Sequence, residues 1–148
     1  MTIKTFRGLM TDGDQVKLRL KTMTGSQGYR IVRFQLMAFA PGADNYEAIV
    51  KIYKLEQASA TATIDFSDNT LLGAGFFTGD TTQQTMKWGT TIIETEVFNQ
   101  DIYITYNDLQ GSDAQMNFHL ELEVVDLRDN ENEYITLRDI KATLPQHG

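Results

Sequence analysis

The chain has 148 residues, 41% hydrophobic and 22% charged, with a formal net charge of −7. That length fits one domain, whose core would bury roughly 70% of the surface exposed on unfolding. The acidic balance argues against the electrostatic footprint of a nucleic-acid binder, which needs clustered positive charge. The lack of any cysteine excludes disulfides, thiolate metal sites and cysteine nucleophiles, and no apolar run is long enough to span a bilayer.

The first residues, MTIKTFRGLMTDGD, lack the apolar core of a secretory signal, so synthesis in a cytoplasm is expected. A short strand is predicted from Ile3 to Leu9, ending at the turn Thr11-Asp12-Gly13-Asp14. Val16, Leu18 and Leu20 then alternate with Lys17, Arg19 and Lys21, a half-buried strand with a basic outer row. Thr24 to Gly28 breaks it, and Tyr29 to Ala40 is the next strand. There Val32, Phe34, Leu36 and Ala38 share one face, and Arg33, Gln35, Met37 and Phe39 the other. Met37 and Phe39 predict that this nominally polar face is partly covered.

After the turn Pro41 to Asn45, Tyr46 to Glu56 carries apolar residues on both faces: Ala48, Val50 and Ile52 against Ile49, Tyr53 and Leu55. Such a strand is expected at the centre of its sheet. Ala60 to Phe66 reads as a shorter strand, and Asp68 as the cap of a brief helical turn through Leu72, weakened by Gly73 and Gly75. Gly79 to Gly89, ending beside Trp88, is polar and threonine-rich and reads as a long exposed loop. Strands follow at Thr90 to Phe98 and Asp101 to Tyr106, with a turn over Asn107 to Asp113. From Gln115 to Leu127, Met116, Phe118, Leu120, Leu122 and Val124 alternate with Asn117, His119, Glu121 and Glu123, a long antiparallel strand with one wet face. Asp129 to Glu133 is an acidic loop, and Tyr134 to Leu144 completes the chain before a flexible tail over 144–148.

Eight or nine closely spaced strands make an all-β antiparallel sandwich the expected fold, one domain over 1–148, jelly-roll-like because two packed sheets hide strand edges. An up-and-down barrel is the alternative.

No enzyme motif is present. His119 and His147 are the two histidines. His119, on the wet face beside Glu121, has a catalytic or metal reading, against that of a solvated surface histidine. Asp12-Gly13-Asp14, Asp65-Ser67-Asp68-Asn69 and Asp129 to Glu133 offer oxygen ligands to a cation, but the calcium-loop pattern is absent and turn chemistry accounts for them. The pairs Glu94/Glu96 and Glu121/Glu123 read better as cross-strand partners for Lys17, Arg19 and Lys21 than as glycosidase carboxylates. Exposed aromatics among Trp88, Tyr103, Tyr106, Phe76 and Phe77 would suit sugar or protein contacts. No catalytic residue, metal site or cofactor is expected.

Four stretches carry a likeness: Thr5 to Gly8, Gly28 to Met37, Val50 to Tyr53, and Val97 to Thr105. They resemble small proteins of marine tailed bacteriophages, over most of the chain to about Asp126. The resemblance implies a virion component, a capsid decoration or cement protein or a piece of the tail, with the major capsid protein or tail proteins as partners and a homo-oligomeric state. It transfers no site residues. Met37, Phe39, Ile49, Tyr53 and Leu55 are the expected subunit contacts, or else contacts to the second sheet, with Lys17, Arg19, Glu121 and Glu123 as charged contacts. A tail or fibre module that binds host glycans near Trp88 or Tyr106 is the competing expectation.

Overall fold

A computed structural model describes residues 2–23, 25–40, 45–79, 88–110, 114–127 and 134–140. Its strands are β1 (Thr2–Met10), β2 (Gln15–Leu18), β3 (Gln27–Ala38), β4 (Tyr46–Tyr53), β5 (Leu71–Gly79), β6 (Trp88–Ile93), β7 (Ile102–Asp108) and β8 (Met116–Asp126). Residues 134–140 form a short helix, α1.

Two sheets result, a small one in the order β1-β8-β3 and a large one in the order β2-β7-β4-β5-β6. Every pairing is antiparallel. The chain passes between the sheets four times, and three of these connections are arches laid side by side. The β7–β8 arch occupies the middle, β1–β2 flanks it on one side and β3–β4 on the other. The all-β sandwich expected from period-two patterning is therefore present.

Side-chain sorting on β8 sets the layer. Met116, Phe118, Leu120 and Leu122 are buried, while Asn117, His119, Glu121 and Glu123 stay half-exposed. They meet Ile102, Ile104 and Tyr106 of β7 and Ala48, Val50 and Ile52 of β4 in one core. β4 is the third of five strands, the central position expected for a strand apolar on both faces. On β3 a bulge between Ile31 and Arg33 shifts the phase. Tyr29 and Ile31 point inward, as do Phe34 and Ala38, but Val32, expected inside, is exposed.

The turn after β1 holds as read: Gly13 has φ 90°, and Asp14 N donates to Thr11 O at 3.0 Å. The sheets meet where β3 faces the chain after β6. There Tyr29 and Phe98 exchange backbone hydrogen bonds of 2.7 and 2.9 Å, and Thr91 Oγ1 donates to Phe34 O at 2.8 Å.

Several expected boundaries move. Leu20 lies beyond the end of β2, and the strand expected to run to Phe98 stops at Ile93. Ala60 to Phe66 is not a strand but part of an irregular crossing over the large sheet. The expected helical turn at Asp68 is instead a side-chain turn: its Oδ1 accepts from Thr70 N and Oγ1 at 2.8 and 2.7 Å and leads directly into β5. The glycines that argued against order there are strand residues at a close approach. A Cβ on Gly75 would stand 2.7 Å from Leu36 Cδ1 of the facing sheet. The proposed loop over Gly79 to Gly89 falls largely on 80–87, outside the described residues, as do the acidic run 129–133 and the tail 144–148.

Candidate functional site

The outer face of the small sheet is built by register. Two cross-strand rows cross β1, β8 and β3: Leu9–Asn117–Met37 and Arg7–His119–Gln35. They line an open depression of about 710 Å³. Leu9, Met37 and Phe39 are 44%, 71% and 58% exposed, so the chain itself does not cover this face as the sequence suggested. In the second row His119 Nδ1 is buried without a hydrogen-bond partner among the described residues.

Farther along the same face Glu121 pairs with Arg33 at 3.8 Å, and Glu123 with Arg30, whose Nε donates to Oε2 at 3.1 Å. These are not the expected partners. Lys17 and Arg19 sit on or just after β2, in the other sheet, and β8 neighbours only β1 and β3. Lys17 instead reaches Asp101 at 3.6 Å. Burial pushes the Asp101 carboxyl up, but N–H donation from Lys21 and Leu20, together with Lys17, outweighs it and holds the group below its ordinary range.

Ile49 and Tyr53, expected as contacts, are buried within the chain. They point outward from β4, yet residues 55–63 cross above them. Lys51, between them, donates to Thr61 Oγ1 at 2.8 Å and Thr63 O at 2.6 Å. Asn107 Nδ2 reaches Ala60 O at 3.2 Å, and Gln57 exchanges hydrogen bonds with Gln15 at 2.8 and 2.9 Å. The outward row of β4 thus packs neither on a subunit nor on the second sheet but under this irregular crossing, and Leu55 is half-buried at its start.

Of the aromatics, Tyr106 is fully buried, its hydroxyl donating to Ala114 O at 2.7 Å, and so is no sugar platform. Phe76, Phe77 and Tyr103 are half-buried, with Phe77 edge-on to Tyr46 at 5.6 Å. The side chain of Trp88 lies outside what is described. The aspartates of the first two candidate cation loops already accept hydrogen bonds: Asp14 Oδ2 from Thr11 N and Asp65 Oδ1 from Ser67 N and Oγ within their own turns, and Asp12 Oδ1 from Asp108 N of β7. Among the described residues no three His, Cys, Asp or Glu side chains are grouped to hold a metal. His147 lies outside the described residues.

Burial makes stability depend on alkaline pH. Loss of solvation, with Asp108 nearby, pushes Tyr106 well above its ordinary 10.0. The unfolded chain then releases this proton above pH 10 while the folded one keeps it. Stability is therefore full below pH 10 and falls as pH rises, by about 1.4 kcal/mol per unit for a fully retained proton. Lys51 acts oppositely: desolvation lowers it from 10.5, so its contribution grows until pH reaches 10.5 and then stays level. Urea unfolding between pH 9 and 11.5 should thus show a decline steepening above 10.5, and Tyr106→Phe should flatten it. An unchanged slope in the variant would contradict this assignment.

A second exposed apolar feature was not visible in the sequence. Helix α1 turns its charged flank inward: Asp139 is 1% exposed and receives Arg138 Nε at 3.1 Å and Lys54 Nζ at 3.5 Å. Glu96 joins them, at 2.9 Å from Lys54 and 3.1 Å from Arg138. Arg138 Nη2 also donates to Val97 O at 2.5 Å, and Asn99 Nδ2 to Thr136 Oγ1 at 2.6 Å. Tyr134, Leu137 and Ile140, at spacing three on one flank, face outward at 68%, 60% and 41% exposure. Ile135 is buried on the same inner flank as Asp139, so that flank mixes an apolar side chain with the ion-pair network while three large apolar side chains stay outside.

No family model and no curated relative matches the chain. Among solved structures, a chain from the acidic stable capsid structure of Helicobacter pylori bacteriophage KHP30 is similar at 8% identity, over 86% of this chain and 99% of that one, with a TM-score of 0.34. That score is too low to establish a shared fold.

Proposed function

We propose that the chain is a structural component of a tailed-phage particle, a capsid decoration or cement protein that stabilises the head by subunit contacts, and not an enzyme. The observation that carries the reading is the outer face of the small sheet. Leu9, Met37 and Phe39 lie open there, and ion pairs of Glu121 and Glu123 with Arg33 and Arg30 border them. An apolar centre with a charged rim is the anatomy of a protein contact. The resemblance of the strand sequences to tailed-phage proteins supports the particle as its setting. The contacts would be to the major capsid protein and to further copies of this chain.

Cosedimentation with purified particles tests this. The wild type should travel with particles, and Met37→Glu, which places a charge in the apolar row, should lose at least nine-tenths of that binding while remaining folded. A chain absent from particles, or a Met37→Glu variant that binds as well as wild type, would refute it.

A further inference from the structure

Asp108, the last residue of β7, holds its carboxylate out of water and is 4% exposed. Its Oδ1 accepts from Glu47 N at 3.2 Å and from Gln110 N at 3.0 Å, contacts that favour the charged form. Its Oδ2 is buried with no hydrogen-bond partner among the described residues. Tyr106, two residues away, cannot serve it, because its one hydroxyl proton goes to Ala114 O at 2.7 Å. Among the described residues no lysine, arginine or histidine forms an ion pair with Asp108. A buried charge is ordinarily paired or bound to a metal.

The charge placed beside it has the same sign. Asp12 Oδ1 accepts from Asp108 N at 2.8 Å, which holds the Asp12 carboxylate against that residue. The turn carrying Asp12 is fixed to β7 by Gly13 N donating to Tyr106 O at 2.9 Å and by Tyr106 N donating to Asp14 O at 3.0 Å. Asp12 is half-buried and is likewise in no ion pair among the described residues.

We infer that the orphaned Oδ2 of Asp108, together with the Asp12 carboxylate, binds calcium where the β1–β2 turn meets the end of β7. The ion supplies the missing partner for Oδ2 and removes the repulsion between the two aspartates. Calcium fits because the donors are oxygens and its coordination number is adaptable, so that water and main-chain carbonyls complete a shell that two carboxylates begin. With so few charged ligands the affinity falls at about 0.1–1 mM. Met10, Met116 and Ala38 form the cross-strand row next to Leu9–Asn117–Met37, so the site lies at the same end of the sandwich as the depression. Calcium there ties the β1–β2 and β7–β8 arches together behind that surface. The inference stands apart from the particle reading and does not need it.

Thermal unfolding of the full chain, stripped with EDTA and then titrated with calcium chloride to 10–100 times that dissociation constant, tests it. The wild type should gain about 3–10 °C in Tm. Asp108→Asn, which keeps the shape and the Oδ1 contacts, should abolish the gain, and Asp12→Asn should weaken calcium about tenfold or more. In EDTA, Asp108→Asn should melt no lower than the wild type, since it removes an uncompensated buried charge. Should Asp108→Asn fail to fold, the half-buried Asp12→Asn carries the comparison. A wild type indifferent to calcium would overturn the inference, as would a gain that both variants keep. A folded Asp108→Asn that melts below the wild type in EDTA would also overturn it, by showing that the chain alone already satisfies the carboxylate.

Discussion

Asp139→Ala is expected to lower the unfolding free energy by about 3 kcal/mol, the low end of the cost of breaking a buried ion pair. The Asp139 carboxylate is almost wholly out of water and has two cations on it, with Asn99 N 3.4 Å from its other oxygen. Removing it leaves Lys54, whose side chain is 4% exposed, with Glu96 alone. That remaining partner at 2.9 Å keeps the loss from being larger. A seven-residue helix has no stability of its own in water. Amide exchange over 134–140 should therefore accelerate before the strands are affected. Replacing the pair together, as Lys54→Met with Asp139→Leu, should cost less than Asp139→Ala, because no uncompensated charge remains. A urea midpoint for Asp139→Ala equal to that of the wild type would show that the network does not dock the helix.

Leu120→Ala should cost about 3–4 kcal/mol, since it empties space in a core that cannot fully collapse. Leu120 is fully buried in the middle of β8, with Phe6 and Phe34 opposite it in register. Its neighbour supplies the control. Glu121 faces outward, and its pair with Arg33 joins side chains 26% and 58% exposed. Glu121→Ala should therefore cost under about 1 kcal/mol. Equal costs at the two positions, measured by urea unfolding, would mean that β8 does not sort its side chains between a core and a wet face.

The elements legible in the sequence were those with one dry and one wet face. β8 was placed within a residue or two because each alternate side chain meets a different medium; β1 was placed as closely, though it alternates only from Thr5 onward. β4 was recognised as central because its outward row, Ile49 and Tyr53, is apolar too. The same row concealed Lys51, which is buried with them, and Lys54, just past the end of the strand, is buried as well. Residues 55–63 satisfy Lys51, and Glu96 and Asp139 satisfy Lys54. A lysine between two apolar outward neighbours on a central strand was the available signal for that covering layer.

Other elements follow rules that periodicity does not express. β5 is largely buried on both faces, and its Gly75 answers to the distance between sheets and not to turn geometry. Helix α1 buries Asp139 together with Ile135 and exposes Tyr134 and Leu137, so a search for a continuous apolar inner stripe misses it. The candidate contact surface was half legible. Met37, Phe39, Glu121 and Glu123 were named and do share one face, whereas Leu9 and Arg7 joined them only through the β1–β8 register. That pairing joins the two ends of the chain, and local spacing holds no record of it.

The account turns on where the small sheet faces in an assembled particle. An electron-microscopy reconstruction with this chain located in density measures that directly. The predicted result is that Leu9, Met37, Phe39 and His119 are buried against a neighbouring protein, with the pairs Glu121–Arg33 and Glu123–Arg30 at the rim. A particle in which that face looks into solvent, or which lacks the chain, would contradict it.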